Sequence, residues 1–183
     1  MKTTTRYNNK NYNEVLIDTS SVLNDNFERF VKNFIPLLSK SNMSFTIPQA
    51  VLNEINRFCI ESTQRGVSAR RARENIMALH NIGYIKFEGN PNTKEKADAY
   101  IISKILRARQ ASKKILVITQ DVQLGKDILK TNSMYSTPAP ANNVQRIGKY
   151  GNLENFDLST NAVAFKTMYK NTNTATILKR FGL

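Results

Sequence analysis

The apolar positions of the chain fall into short blocks separated by longer stretches with helical spacing. Val15-Leu16-Ile17 is β-branched and continuous, and it reads as a buried strand over 15–18. From Asn24 to Lys40 the apolar residues Phe27, Phe30, Val31, Phe34, Leu37 and Leu38 repeat as one helix face, which Pro36 is expected to end or kink. Phe45-Thr46-Ile47 predicts a second strand, and Pro48 opens a helix with Val51, Ile55, Phe58 and Cys59 on its inner face. Gly66 interrupts the pattern. Ser68 is the expected N-cap of a helix through His80, with Ala72, Ile76 and Leu79 inside. Tyr84 to Phe87 alternates as a third strand, and Gly89-Asn90-Pro91-Asn92 is turn chemistry. A helix is expected from Thr93 to Gln110 with Ala97, Ile101, Ile102 and Ile105 inside, and the run Ile115-Leu116-Val117-Ile118 reads as a central parallel strand.

Strands that alternate with helices predict an α/β fold with a parallel sheet flanked by helices. Beyond Asp127 the pattern weakens. Ser136 to Asn143 carries two prolines among polar residues, Val144 to Ile147 reads as an edge strand, and Val163 to Tyr169 as a helical stretch in a polar, mildly basic tail. A chain of 183 residues supports one sizeable core, so the expected organisation is a leader over 1–13, one domain over 14–147 and an extension over 148–183. There is no internal repeat. The single cysteine, Cys59, excludes an internal disulfide framework and a cysteine zinc cluster. With no apolar run long enough to cross a bilayer, a soluble cytoplasmic protein with no membrane partner is expected.

Charge sharpens this picture. Lys and Arg number 27 against 14 acids, a net charge of +13, and such an excess points to a polyanionic partner, most often nucleic acid. The candidate contacts are Arg57, Arg65, Arg70, Arg71 and Arg73, followed by Lys94, Lys96, Lys104, Arg107 and Arg109. For any one of them a solvated surface position is an equally good reading.

The acids are few, and four of them occupy matching positions. Asp18 follows the first strand directly, at the carboxyl end where open α/β sheets collect ligands. Asp121 closes Thr119-Gln120-Asp121 beyond the strand at 115–118. Glu54 lies one turn from Val51 and Phe58, and Asp98 one turn before Ile101 and Ile102, so both border apolar stripes. Taken singly, an Asp after a strand is a helix cap or turn former, and that is the better reading of Asp121 alone. Glu54 and Asp98 alone are ordinary rim residues. As a cluster, carboxylates repel and raise one another's pKa unless a cation compensates, and their hard oxygens suit Mg²⁺ or Mn²⁺.

Ile17-Asp18-Thr19-Ser20, Pro48 to Ile55, Ala97-Asp98-Ala99-Tyr100-Ile101 and Val117 to Leu124 resemble, in order and spacing, the four signature segments of the PIN-domain nucleases. The resemblance covers residues 14–130. It implies a three-layer α/β/α domain and a Mg²⁺- or Mn²⁺-dependent phosphodiesterase, usually an endoribonuclease, as in toxins of toxin–antitoxin pairs and in RNA-processing enzymes. Residue by residue it assigns Asp18, Glu54, Asp98 and Asp121 to the catalytic metal site, with the Ser20 and Thr119 hydroxyls orienting carboxylates or water. Asp127 and Glu95 are outlying candidates. RNA is the implied partner. An antitoxin or other protein partner and a homo-oligomer both stay open, and residues 131–183 match no segment of the family.

Two rival readings remain. One is a catalytically weak nucleic-acid-binding module that keeps the fold. The other is a receiver-type phosphorylation domain, which would need adjacent acids near the first strand and a phosphoacceptor Asp after a middle strand; Ile17-Asp18-Thr19 and Tyr84 to Glu88 supply neither. The lone His80 has no chemical partner in the pattern and reads as structural.

Overall fold

The computed structural model describes residues 12–41, 43–134 and 141–156. It is an α/β structure. Strands β1 (Glu14–Ile17), β2 (Phe45–Pro48), β3 (Ile85–Glu88), β4 (Ile115–Ile118), β5 (Asn143–Ile147) and β6 (Leu153–Asn155) form one sheet in the order β3-β2-β1-β4-β5-β6. All neighbours pair in parallel except β6, which returns antiparallel along β5. The helices are α1 (Thr19–Val22), α2 (Phe27–Ser41), α3 (Gln49–Cys59), α4 (Gln64–Asn81), α5 (Ala97–Gln110) and α6 (Val122–Thr131).

Crossover handedness sorts the helices into two layers. The steps β1 to β2 to β3 run one way across the sheet. The step from β3 to β4 jumps back past β1, so right-handed crossovers place the later helices on the opposite face. Side chains agree. Phe30 and Phe34 of α2 stack on Phe45 of β2, and His80 of α4 stacks on Phe87 of β3, while Lys104 of α5 reaches Glu14 and Glu88 on the other face of the pleat. Coverage of both faces explains why Val15-Leu16-Ile17 and Ile115 to Ile118 are continuous apolar runs. Each of these seven residues is buried.

The helix boundaries remove one of two alternatives and bring one correction. Pro36 lies inside α2 and does not end it: the helix runs on to Ser41, with Leu38 buried beyond the proline. A proline removes one backbone donor, and the buried face of α2, Phe27, Phe30, Val31, Phe34 and Leu38, carries the helix across it. Helix α4 begins at Gln64, not after Ser68, because the Thr63 hydroxyl accepts the Gly66 amide and caps it one turn earlier. Gly66 therefore sits within the first turn of the helix. It is there for want of room: a Cβ at this position would collide with the backbone carbonyl of Glu61 and press on Phe58.

Beyond residue 147 the chain still contributes to the sheet, since β6 shields β5 and leaves β3 and β6 as the edges. The stretch at Val163 to Tyr169 lies outside the described residues. Among the described residues no helix is long and apolar enough to cross a membrane.

Gly66 offers a test of this packing. At an exposed helix site Gly to Ala gains about 1 kcal/mol of helix propensity. The clash with Glu61 should reverse the sign, so Gly66→Ala is expected to lose about 1–3 kcal/mol in urea unfolding. A stabilised variant would show that α3 and α4 do not approach as described.

Candidate functional site

In the order β3-β2-β1-β4-β5, strand β1 connects toward one side of the sheet and β4 toward the other. The crevice between their carboxyl ends is where helices of the two layers diverge, and ligands of open α/β sheets bind there. Asp18 leaves β1 at this point and Thr119 leaves β4.

A small set of hydroxyls joins the two exits. Asp18 Oδ2 accepts from Ser20 Oγ at 2.6 Å, from Thr119 Oγ1 at 2.9 Å and from the Ser20 amide at 3.2 Å. Each hydroxyl has one proton. Both protons point at Asp18, so the 3.2 Å approach of the two hydroxyl oxygens is a consequence of sharing one acceptor. Their lone pairs are used as well: Ser20 Oγ accepts from the Gln120 amide and Thr119 Oγ1 from the Asp121 amide, each at 2.9 Å.

Asp18 is 3 % exposed. Burial pushes its carboxyl above the ordinary value of 3.8, and the hydrogen bonds from Ser20, Thr119 and the Thr19 amide pull the other way without cancelling it. Asp18 is also the N-cap of α1. One carboxylate thus serves the local helix and the crevice together.

Glu54, half-buried on α3, is tied to the same turn because Thr19 Oγ1 donates to its Oε2 at 2.5 Å. Arg57 lies 3.9 Å from its other oxygen. Asp98 is half-buried in the first turn of α5, which starts at this sheet edge after the β3–α5 loop. Asn53 holds that loop against α3 by donating to the carbonyls of Pro91 and Thr93. Asp121 is exposed and caps α6, its Oδ1 accepting from the Gln123 and Leu124 amides.

The four acids therefore reach one edge of the sheet from four segments, and Asp18 and Glu54 are joined through Thr19. Among the described residues, no three His, Cys, Asp or Glu side chains stand close enough together to hold a metal ion. Of the outlying candidates, Glu95 is exposed ahead of α5, whereas Asp127 is buried under α6 with Lys130 at 3.2 Å and Gln123 at 3.0 Å. Asp127 belongs to the packing of α6.

Many of the basic candidates are engaged within the chain. Arg65 makes two bonds to Glu61, Arg71 pairs with Glu28, Arg70 donates to the Cys59 and Glu61 carbonyls, and Arg73 donates to Asn56. Lys104 is held by Glu14 and Glu88. Arg109 is a correction: it is buried at the end of α5 against Asn132, where no polyanion reaches it. His80 stacks on Phe87 and its Nδ1 meets the Ile85 carbonyl, a structural arrangement.

Thr19 is invisible to sequence reasoning because its role depends on α3 folding alongside α1. Its only signal is its place between Asp18 and Ser20. Comparison with protein-family models, curated proteins and solved structures finds no match for this chain.

The raised pKa of Asp18 has a stability consequence with a definite sign. A carboxyl whose folded pKa lies above its unfolded one favours folding fully below pH 3.8, and that contribution is lost as pH rises through the folded value. Asp18→Asn keeps an acceptor and a good N-cap residue while removing the buried charge. It is expected to raise the melting temperature of the metal-free protein at pH 7 by a few degrees, with the gain shrinking toward pH 3.8. A lower melting temperature at pH 7 would contradict the burial argument.

Proposed function

We propose that this chain is a Mg²⁺- or Mn²⁺-dependent endoribonuclease of the PIN-domain kind, hydrolysing phosphodiester bonds of single-stranded or structured RNA. The observation that carries the reading is Asp18: a buried carboxyl at the point where the sheet reverses direction, tied by Ser20 and Thr119 to the exits of both central strands. Glu54 stands one hydroxyl away, and Asp98 and Asp121 are brought to the same edge by α5 and β4.

The donors are all hard oxygens and suit either ion. The reading assigns Asp18, Asp98 and Asp121 to it, with Glu54 as a further ligand or as the base facing the attacking water; as placed, no three of the described acids stand close enough to share one ion, so binding would have to draw them together. A bound ion supplies a water of lowered pKa and neutralises charge on the departing oxygen. The rest of the work falls to the chain. Ser20 and Thr119 fix Asp18, Thr19 holds Glu54 at the rim, and the surrounding cations hold the polyanion that the acids repel.

A second reading has an observation of its own. Asp121 already serves as a helix cap, and no three of the described acidic side chains stand within reach of one ion, as in a nucleic-acid-binding module that does not cleave. Cleavage decides between the two.

A mixed pool of RNA and single-stranded DNA, incubated with Mg²⁺, Mn²⁺ or chelator, is expected to be cut only with metal. The products should carry 5′-phosphates and 3′-hydroxyls, the mark of water attack opposite the 3′-oxygen. Cyclic 2′,3′-phosphates, or undiminished cutting in chelator, would overturn the mechanism. Asp18→Asn and Asp98→Asn should reduce cutting to background, and Mn²⁺ should raise the melting temperature of the wild type more than that of either variant.

Asp121 needs a substitution that keeps its cap. Asp121→Ser retains an N-cap acceptor, whereas Asp121→Ala should lose about 1 kcal/mol of stability. If Asp121 is a metal ligand, both lose activity; if it is only a cap, the Ser variant stays active.

A further inference from the structure

Beside α5, on the face of the sheet that α5 and α6 cover, lies a groove of about 590 Å³, lined by Glu14, Lys86, Glu88, Lys104, Arg107 and Lys113. It contains four cations and two carboxylates.

The carboxylates are neutralised from within. Lys104, largely buried, reaches both Glu14 and Glu88, and Lys86 stands 3.8 Å from Glu14. Tyr100 adds its hydroxyl to Glu88 and packs over Gly89. By contrast Arg107 and Lys113 are exposed and make no ion pair among the described residues. The floor is held electrically quiet while the rim keeps its charge.

Position along α5 links this groove to the acidic edge. Lys96, Tyr100, Lys104 and Arg107 are spaced as one stripe of the helix. At 1.5 Å per residue, Arg107 lies about 14 Å along the axis from Asp98, within reach of a strand a few nucleotides long.

We propose that this groove binds the phosphodiester backbone of single-stranded RNA, with Arg107 and Lys113 as phosphate ligands and Lys86 assisting. The inference rests on the nuclease reading for the direction of the strand, which continues from the acidic edge along α5. Lys104 takes a positioning role: it neutralises the two carboxylates that would otherwise repel the backbone.

Binding of a 5′-fluorescein single-stranded RNA 12-mer, followed by anisotropy in EDTA, tests the groove without any cleavage. Arg107→Gln combined with Lys113→Gln should weaken binding about tenfold and flatten the salt slope by about 0.7 for each phosphate that is no longer neutralised. Lys32→Gln combined with Lys149→Gln removes the same charge elsewhere on the exposed surface and should change affinity far less. Glu88→Gln keeps an acceptor for Tyr100, frees Lys104 and should tighten binding, which a variant that merely damaged the fold would not do. Shortening the oligonucleotide to a trimer should erase the difference between wild type and the groove variant. Equal weakening in the groove and control variants, or no tightening with Glu88→Gln, would overturn the assignment. Because no metal is present, a protein that fails to cleave can still pass this test, and one that cleaves can still fail it.

Discussion

The interaction on which the site depends is the hydrogen-bonded seam between the exits of β1 and β4. These strands are about a hundred residues apart in sequence, and their ladder, Glu14 to Ile17 beside Ile115 to Ile118, sets the register and leaves the loops beyond it to be tied by side chains. One oxygen of Asp18 does this by collecting the only protons of two hydroxyls, whose lone pairs then take the Gln120 and Asp121 amides. The starts of α1 and α6 are therefore set by the same few atoms. Had the seam been apolar, the two exit loops would carry unsatisfied amides at a buried edge, a cost of about 1–3 kcal/mol each.

The basic character of the chain divides into two populations. On α4 the arginines spend their donors on Glu61, Glu28, Asn56 and helix-end carbonyls, knitting α3, α4 and α2 together. Exposed pairs of this kind contribute little stability each, but they orient the guanidinium groups and lower their attraction for solvent anions. A second population, including Arg107 and Lys113, lacks carboxylate partners among the described residues. Net charge alone cannot tell the two apart.

What could be read from the chain follows from physics. Strands β1 and β4 were legible because burial on both faces erases alternation and leaves apolar runs. Asp18 was legible for the same reason, as the first polar residue after such a run, while Asp121 stands behind Thr119 and Gln120. Strand β6 was not: in Leu153-Glu154-Asn155 a single inward side chain supplies the whole signal. Gly66 misled because the pattern treats glycine as a breaker, whereas here the neighbouring helix end demands a residue without a side chain. Pro36 left two outcomes open, and of these α2 does not end there, since apolar residues on both sides of the proline share one buried face.

The two acids at the strand exits carry a double duty that the helix acids do not. Asp18 caps α1 and Asp121 caps α6, each accepting amides at the start of its helix. A cap and a cation compete for the same lone pairs only when the oxygens are few. A carboxylate offers two oxygens with about four acceptor sites, enough for two amides and a further ligand. Asp121 uses Oδ1 for both of its cap bonds. Asp18 concentrates the donors of Ser20 and Thr119 on Oδ2. In both cases the capping bonds hold the side chain in one orientation, so folding the helix start also aims the carboxylate. Asn or Ser could satisfy the helix ends alone; a carboxyl group with one heavily bonded oxygen keeps its second oxygen for a further partner at the crevice.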